Sequence, residues 1–138
     1  MLGQRLLFSV QGELFSVLAD QGFDDLHPRH GAVLAHLQAD GVRATEISRL
    51  SGQHKQVVGT MVDELERLGY VERRPDPADR RAKLVCPTER GLRQMQAADK
   101  IMCEIEERHA KRLGREAYEH FRAMLIDVTR HQRDHQVR

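Results

Sequence analysis

The sequence shows no excess of either charge, no cysteine framework, no long apolar run and no catalytic motif, and each absence removes a class of function. Twenty-two Lys and Arg face 21 Asp and Glu, a formal net charge of +1. Bulk charge therefore does not advertise a polyanion partner, and any nucleic-acid contact must come from where the charges sit. The two cysteines, Cys86 and Cys103, fit neither a disulfide framework nor a zinc spacing, which predicts a reducing, cytoplasmic location. Gln4, Arg5, Gln11 and Glu13 interrupt the apolar residues at the N-terminus, so no signal-peptide core forms there. No stretch approaches the roughly 18 apolar residues that span a bilayer, so a soluble protein without a membrane partner is expected. There is no Gly-rich phosphate loop, nucleophile elbow or metal-protease motif. Acidic residues are scattered rather than paired. An enzyme is not expected, nor a cofactor.

What is there points elsewhere. At 138 residues the chain can bury a core, and 40% hydrophobic with 31% charged residues suits a globular, helix-rich protein. Leu6, Leu7, Val10, Leu14, Phe15 and Leu18 recur at helical spacing, predicting an amphipathic helix over about residues 2–19. After a break at Gln21-Gly22-Phe23-Asp24-Asp25, Pro28 suits the first turn of a second helix bearing Val33, Leu34 and Leu37, ended by Asp40-Gly41. Thr45 as N-cap, Ile47 and Leu50 as core positions and Gly52 as a stop delimit a short helix. Val57, Val58, Met61, Val62, Leu65 and Leu68 mark a longer one over about 54–68, closed by Gly69. The two make a helix-turn-helix pattern.

Past Gly69 the period changes. Tyr70-Val71-Glu72-Arg73-Arg74 and Lys83-Leu84-Val85-Cys86 read as strands. Between them, the prolines of Pro75-Asp76-Pro77-Ala78-Asp79 exclude a strand interior or a helix, so the segment reads as the tip of a β-hairpin wing. Pro87 ends the second strand, and Thr88 caps a long helix to about Leu113, lined by Met95, Ala98, Ile101, Met102 and Ile105. Gly114 interrupts before a last helix over about 115–133 with Tyr118, Phe121, Leu125 and Val128 as its stripe. The expected fold is mainly α with a small β-hairpin wing. It divides into N-terminal helices (1–39), a winged helix-turn-helix domain (40–87) and C-terminal helices (88–138).

A helix entering the major groove reads base edges through the hydrogen-bonding side chains of its outer face. Off the apolar stripe of the second helix of the pair lie His54, Lys55, Gln56, Gly59 and Thr60, with Thr45 opening the helix before it. Gly59 lets the backbone approach DNA, at a cost of about 1 kcal/mol relative to Ala. By themselves these residues could equally be a solvated surface. The wing decides between the two. From Arg67 to Arg93 eight basic residues stand against four acidic ones (Glu72, Asp76, Asp79, Glu89). An arginine at a hairpin tip fits the narrow minor groove, and Asp79 can hold Arg81 in a charge-assisted pair. Arg74 and Arg80 complete the candidate DNA-binding set.

The run Leu65-Glu66-Arg67-Leu68-Gly69-Tyr70-Val71-Glu72-Arg73-Arg74-Pro75-Asp76-Pro77-Ala78-Asp79-Arg80-Arg81, continued to Thr88-Glu89-Arg90-Gly91, resembles the signature of MarR-family transcriptional regulators. The resemblance follows the helix order over nearly the whole chain. It implies that Arg81 enters the minor groove, that Asp79 orients it, and that the helix from His54 to Leu68 reads the major groove. It further implies that the first and last two helices form a dimer interface, with a small-ligand pocket between them and the winged domain. Pro87 stands where the family usually has an apolar residue. Gln53-His54 and Gly59 depart from its commoner choices, so no operator can be inferred from relatives.

The apolar stripes of the terminal helices exceed what a small winged core can receive, so packing against a second copy is expected. A homodimer places two reading helices about one DNA turn, roughly 34 Å, apart and implies a palindromic operator. The expected function is a homodimeric repressor released by an aromatic or anionic small molecule, for which Phe15, His27, Arg29 and His30 are candidate contacts. One alternative is a winged-helix protein-interaction module without DNA binding. Another is a redox-responsive regulator using Cys103 or Cys86, although Cys103 reads as a buried small hydrophobe. His131 and His135 are spaced i,i+4, but nothing completes a metal site and they read as solvated.

Overall fold

The computed structural model describes residues 1–136. The chain forms two compact units, Met1–Ile101 and one beginning at Met102. The first contains α1 (Leu2–Asp20), a 3₁₀ turn (Pro28–His30) running into α2 (Gly31–Leu34), β1 (Val42–Arg43), α3 (Ala44–Ser51), α4 (Lys55–Arg67), β2 (Val71–Asp76) and β3 (Asp79–Pro87). It ends in the first half of α5 (Glu89–Leu113); the second half belongs with α6 (Arg115–Gln136).

The core of the first unit gathers the apolar faces foreseen for the helix-turn-helix. Val33, Leu34 and Leu37 meet Ile47 of α3 and Val58, Met61, Val62 and Leu65 of α4, with Tyr70, Val71 and Val85 from the sheet. The three strands run antiparallel in the order β1-β3-β2. At two residues β1 is too short to show a period in the sequence; it forms because Val42 and Arg43 pair with Val85 and Leu84. The wing is thus a mainly α fold's small sheet, as expected.

Four local expectations are corrected. The second helix is curtailed: His36 and Leu37 N–H groups reach back three residues to Val33 and Leu34, the tighter 3₁₀ pattern, so Leu37 is buried outside any helix. Thr45 is not an N-cap. The chain leaves β1 directly into α3, so Arg43 takes the extended cap position and Thr45 lies exposed in the first turn. Pro75 and Asp76 belong to β2, leaving Pro77-Ala78 as the tip. A proline is tolerated there because β2 is an edge strand and the register shifts between Pro75 and Asp76. Cys103 is exposed and Cys86 buried, the reverse of the expected burial of Cys103.

Thr88 does cap α5. Its hydroxyl accepts from the Gly91 N–H at 3.1 Å and donates to the Gly69 carbonyl at 2.6 Å. On α1 only Leu18 is buried, while Leu2, Leu6, Leu7 and Phe8 stand exposed. On α6 no residue is buried, and Phe121, Met124, Leu125, Ile126 and Val128 are exposed. Among the described residues no helix is long and apolar enough to cross a membrane.

Candidate nucleic-acid interface

The turn between α3 and α4 is held by hydrogen bonds. Gly52 closes α3 with φ +73°, a left-handed conformation that disfavours a side chain. The Ser48 hydroxyl donates to the Gln53 carbonyl at 2.6 Å, and the Gln53 N–H donates to Ser51 Oγ at 3.2 Å. His54 is the N-cap of α4, its Nδ1 accepting from the Gln56 N–H at 3.2 Å. With Val58, Met61, Val62 and Leu65 turned into the core, His54, Lys55, Gln56 and Thr60 lie exposed and Gly59 half-buried. Thr60 donates its hydroxyl to the Gln56 carbonyl at 3.0 Å, so it offers a partner only lone pairs and a methyl group.

The inner end of α4 is fixed by Glu64. It accepts from buried His30 Nε2 at 2.8 Å and from the Arg29 guanidinium at 3.1 Å. His30 Nδ1 accepts from the His27 N–H at 3.1 Å, which leaves the ring proton on Nε2 to be donated. Hydrogen bonding to His30, then to Arg29, holds the Glu64 carboxyl below its ordinary range. His30 is therefore a core residue with both ring nitrogens occupied, which removes it from the surface expected for ligand contact. His27 and Arg29 are exposed, and half-buried Phe15 packs against the core beside Gly31.

Anchored carboxylates also set the wing. Asp76, 8% exposed, accepts from Arg43 of β1 at 2.8 and 2.9 Å and from the Ala78 N–H at 2.9 Å, tying the hairpin tip to the opposite edge of the sheet. The Ala78 N–H, then Arg43, keep its carboxyl depressed. Arg73 bridges β2 to α4 through Asp63 at 2.8 Å and Glu66 at 3.0 Å. Arg74 pairs with Glu72. Asp79 accepts from the main-chain N–H of Arg81 at 3.1 Å rather than from its guanidinium, so it shapes the backbone and leaves the side chain free. Among the described residues no carboxylate pairs with Arg80, Arg81, Lys83 or Lys55, and all four are exposed.

Helix α4 meets the wing at a buried joint. Tyr70, fully buried, donates its hydroxyl to Asp25 at 2.5 Å, while Arg90 lies 4.3 Å over its ring and reaches Asp25 at 3.1 Å and the Leu68 carbonyl at 2.7 Å. Burial pushes the Tyr70 phenol upward, further raised by its bond to Asp25. For Asp25, burial acts to raise the carboxyl, but Tyr70 and Arg90 outweigh it and leave the group lowered. A Cβ on Gly91 would stand 2.1 Å from the Tyr70 carbonyl oxygen, so α5 can start here only on a glycine.

Asp76, Arg43, Asp25 and Arg90 were not singled out in the sequence because each acts through an ion-pair partner more than 20 residues away; Arg73 acts instead through Asp63 and Glu66, both nearby on α4. Ser48 and Gln53 carried a local signal: a Ser-x-x-Ser-Gly turn is rich in groups that bond the nearby main chain. In the second unit, Cys103 lies in a groove of about 230 Å³ with Glu106, Tyr118 and Arg122, and Arg115 joins α6 to Glu107 of α5 at 2.8 Å. Among the described residues no three His, Cys, Asp or Glu side chains gather as a metal site.

Residues 24–82 match the MarR family model. No curated protein matches the chain. Among solved structures, a MarR-family transcriptional regulator from Rhodococcus sp. RHA1 is similar at 28% identity, over 92% of this chain and 90% of that one, with a TM-score of 0.71. CouR from Rhodococcus jostii RHA1 bound to p-coumaroyl-CoA is 29% identical over 92% and 88%, TM-score 0.73. The transcriptional repressor CouR bound to a 23-mer DNA duplex is 28% identical over 94% and 92%, TM-score 0.73.

Proposed function

Since the chain belongs to the MarR family of winged-helix transcriptional regulators, we propose that it is a sequence-specific double-stranded DNA-binding repressor that acts as a homodimer and is released by a small molecule. The observation that carries this reading is the division of labour among its cations. Arg29, Arg43, Arg73 and Arg90 are each engaged by a carboxylate, whereas Lys55 on α4 and Arg80, Arg81 and Lys83 on the wing are exposed with no carboxylate partner among the described residues. Cations left unpaired on two rigid projections suit phosphate and minor-groove contact. His54, Gln56, Gly59 and Thr60 are assigned to the major groove, and Arg74, Arg80 and Arg81 to the wing contact, with Asp79 setting the Arg81 backbone. Thr45, exposed in the first turn of α3, is assigned to the DNA backbone.

Homodimerisation is supported by the exposed apolar residues of α1 and α6, among them Phe8 at 61% and Val128 at 63% exposure. A second copy that covers them orders two reading helices about one helical turn, roughly 34 Å, apart on a palindromic operator. For the effector, the CoA thioester bound by the similar CouR supports an aromatic, anionic compound. Exposed His27 and Arg29 are the assigned polar contacts and Phe15 the aromatic one. The test is a band shift on the promoter flanking the protein's own gene. A complex that unrelated duplex fails to displace supports the proposal; equal displacement by both duplexes refutes it.

A further inference from the structure

We infer that Gln53 and His54, carried on a preset turn before α4, are base-reading side chains that discriminate two neighbouring base pairs in each half-site. The inference rests on the DNA-binding reading above and adds to it a residue, Gln53, and a chemical polarity for His54. Both main-chain groups of Gln53 are committed, its N–H to Ser51 Oγ and its carbonyl to the Ser48 hydroxyl, so its backbone is fixed while its side chain is exposed. His54 commits Nδ1 to the Gln56 N–H, so the neutral ring carries its proton on Nε2. The exposed edge of His54 is thus a donor and not an acceptor.

That polarity has a consequence in the major groove. A donor pairs with guanine O6 or N7, thymine O4 or adenine N7, and meets only another donor at cytosine N4. The Gln53 amide can present an N–H donor beside its oxygen acceptor, the complement of adenine N7 and N6. The start of a reading helix is the end that approaches base edges in helix-turn-helix docking; the turn backbone that carries both residues, and the ring of His54, are already held and lose little freedom on binding. Neither group is a fixed cation, so neither should contribute to counterion release.

The test is selection of operators from randomised duplexes by the full chain, by Gln53→Ala and by His54→Ser. Gln53→Ala leaves the main-chain bonds of the turn intact, and a serine at position 54 still caps α4. Each variant is expected to melt as the wild type does and keep the salt slope. Each should lose roughly tenfold or more in discrimination at one base pair per half-site, at adjacent positions for the two variants. Variants that enrich the wild-type operator with undiminished discrimination would overturn the inference while leaving the regulator reading intact. A wild type that enriches no sequence would overturn that reading itself. Independently of DNA and of variant folding, nitrogen-15 NMR of the neutral ring of His54 is expected to show the Nε2–H tautomer; the Nδ1–H tautomer overturns the assignment.

Discussion

Arg81 and Gly91 show how differently single residues can matter in the same hairpin region. The Arg81 guanidinium touches no carboxylate among the described residues, so Arg81→Ala should leave thermal melting unchanged while weakening operator binding roughly tenfold or more, the worth of a good groove contact. Fluorescence anisotropy alongside a melt checks this, and unaltered affinity would remove Arg81 from the interface. Gly91→Ala acts on the fold instead, because the added methyl meets the Tyr70 carbonyl at 2.1 Å. It should destabilise by about 1–3 kcal/mol in chemical denaturation. Asp25, Glu64 and Asp76 are all held below their ordinary range by hydrogen-bonded partners. A depressed folded value means stability that is present above the unfolded carboxylate range and lost as pH falls from there through the lower folded value. Melting temperature should stay level down to about pH 5 and drop below about pH 4. A melting temperature that holds or rises below that range contradicts these ion pairs. The sequence showed the exposed half of this chemistry, Arg80-Arg81, but not the buried half. Which arginines are neutralised depends on contacts such as Arg43 with Asp76, 33 positions apart.

At the scale of elements, α3, α4, α5 and α6 were legible to within a residue or two, apart from the end of α6, because each carries a sustained apolar period or a glycine stop. Strand β1 and the reach of β2 through Pro75 are set by tertiary pairing, to which local propensity gives way, while helix α2 stops short because the chain beyond it turns to the 3₁₀ pattern. Gly59 separates stability from function within α4. Nothing lies within 4 Å of a Cβ built there, so Gly59→Ala should stabilise the protein by roughly 0.5–1 kcal/mol. The same methyl should weaken DNA binding if the helix backbone approaches the duplex at that point. Paired urea melts and binding isotherms test the opposed signs; a variant with higher stability and full affinity means the backbone does not come close.

For the whole molecule, the exposed apolar residues of α1 and α6 are a feature that a lone chain leaves unexplained. Leu125→Asp should convert a dimer to monomers in sedimentation analysis and reduce operator affinity through loss of the second half-site. A variant that remains dimeric removes that stripe from the interface. The central claim, that unpaired cations of α4 and the wing grip a duplex, is tested most directly by measuring operator affinity against salt for wild type and Lys55→Ala. A steep linear fall of log K with log salt is predicted for the wild type, shallower by about 1 when Lys55 is removed. A flat salt dependence, or identical slopes for the two proteins, would contradict it.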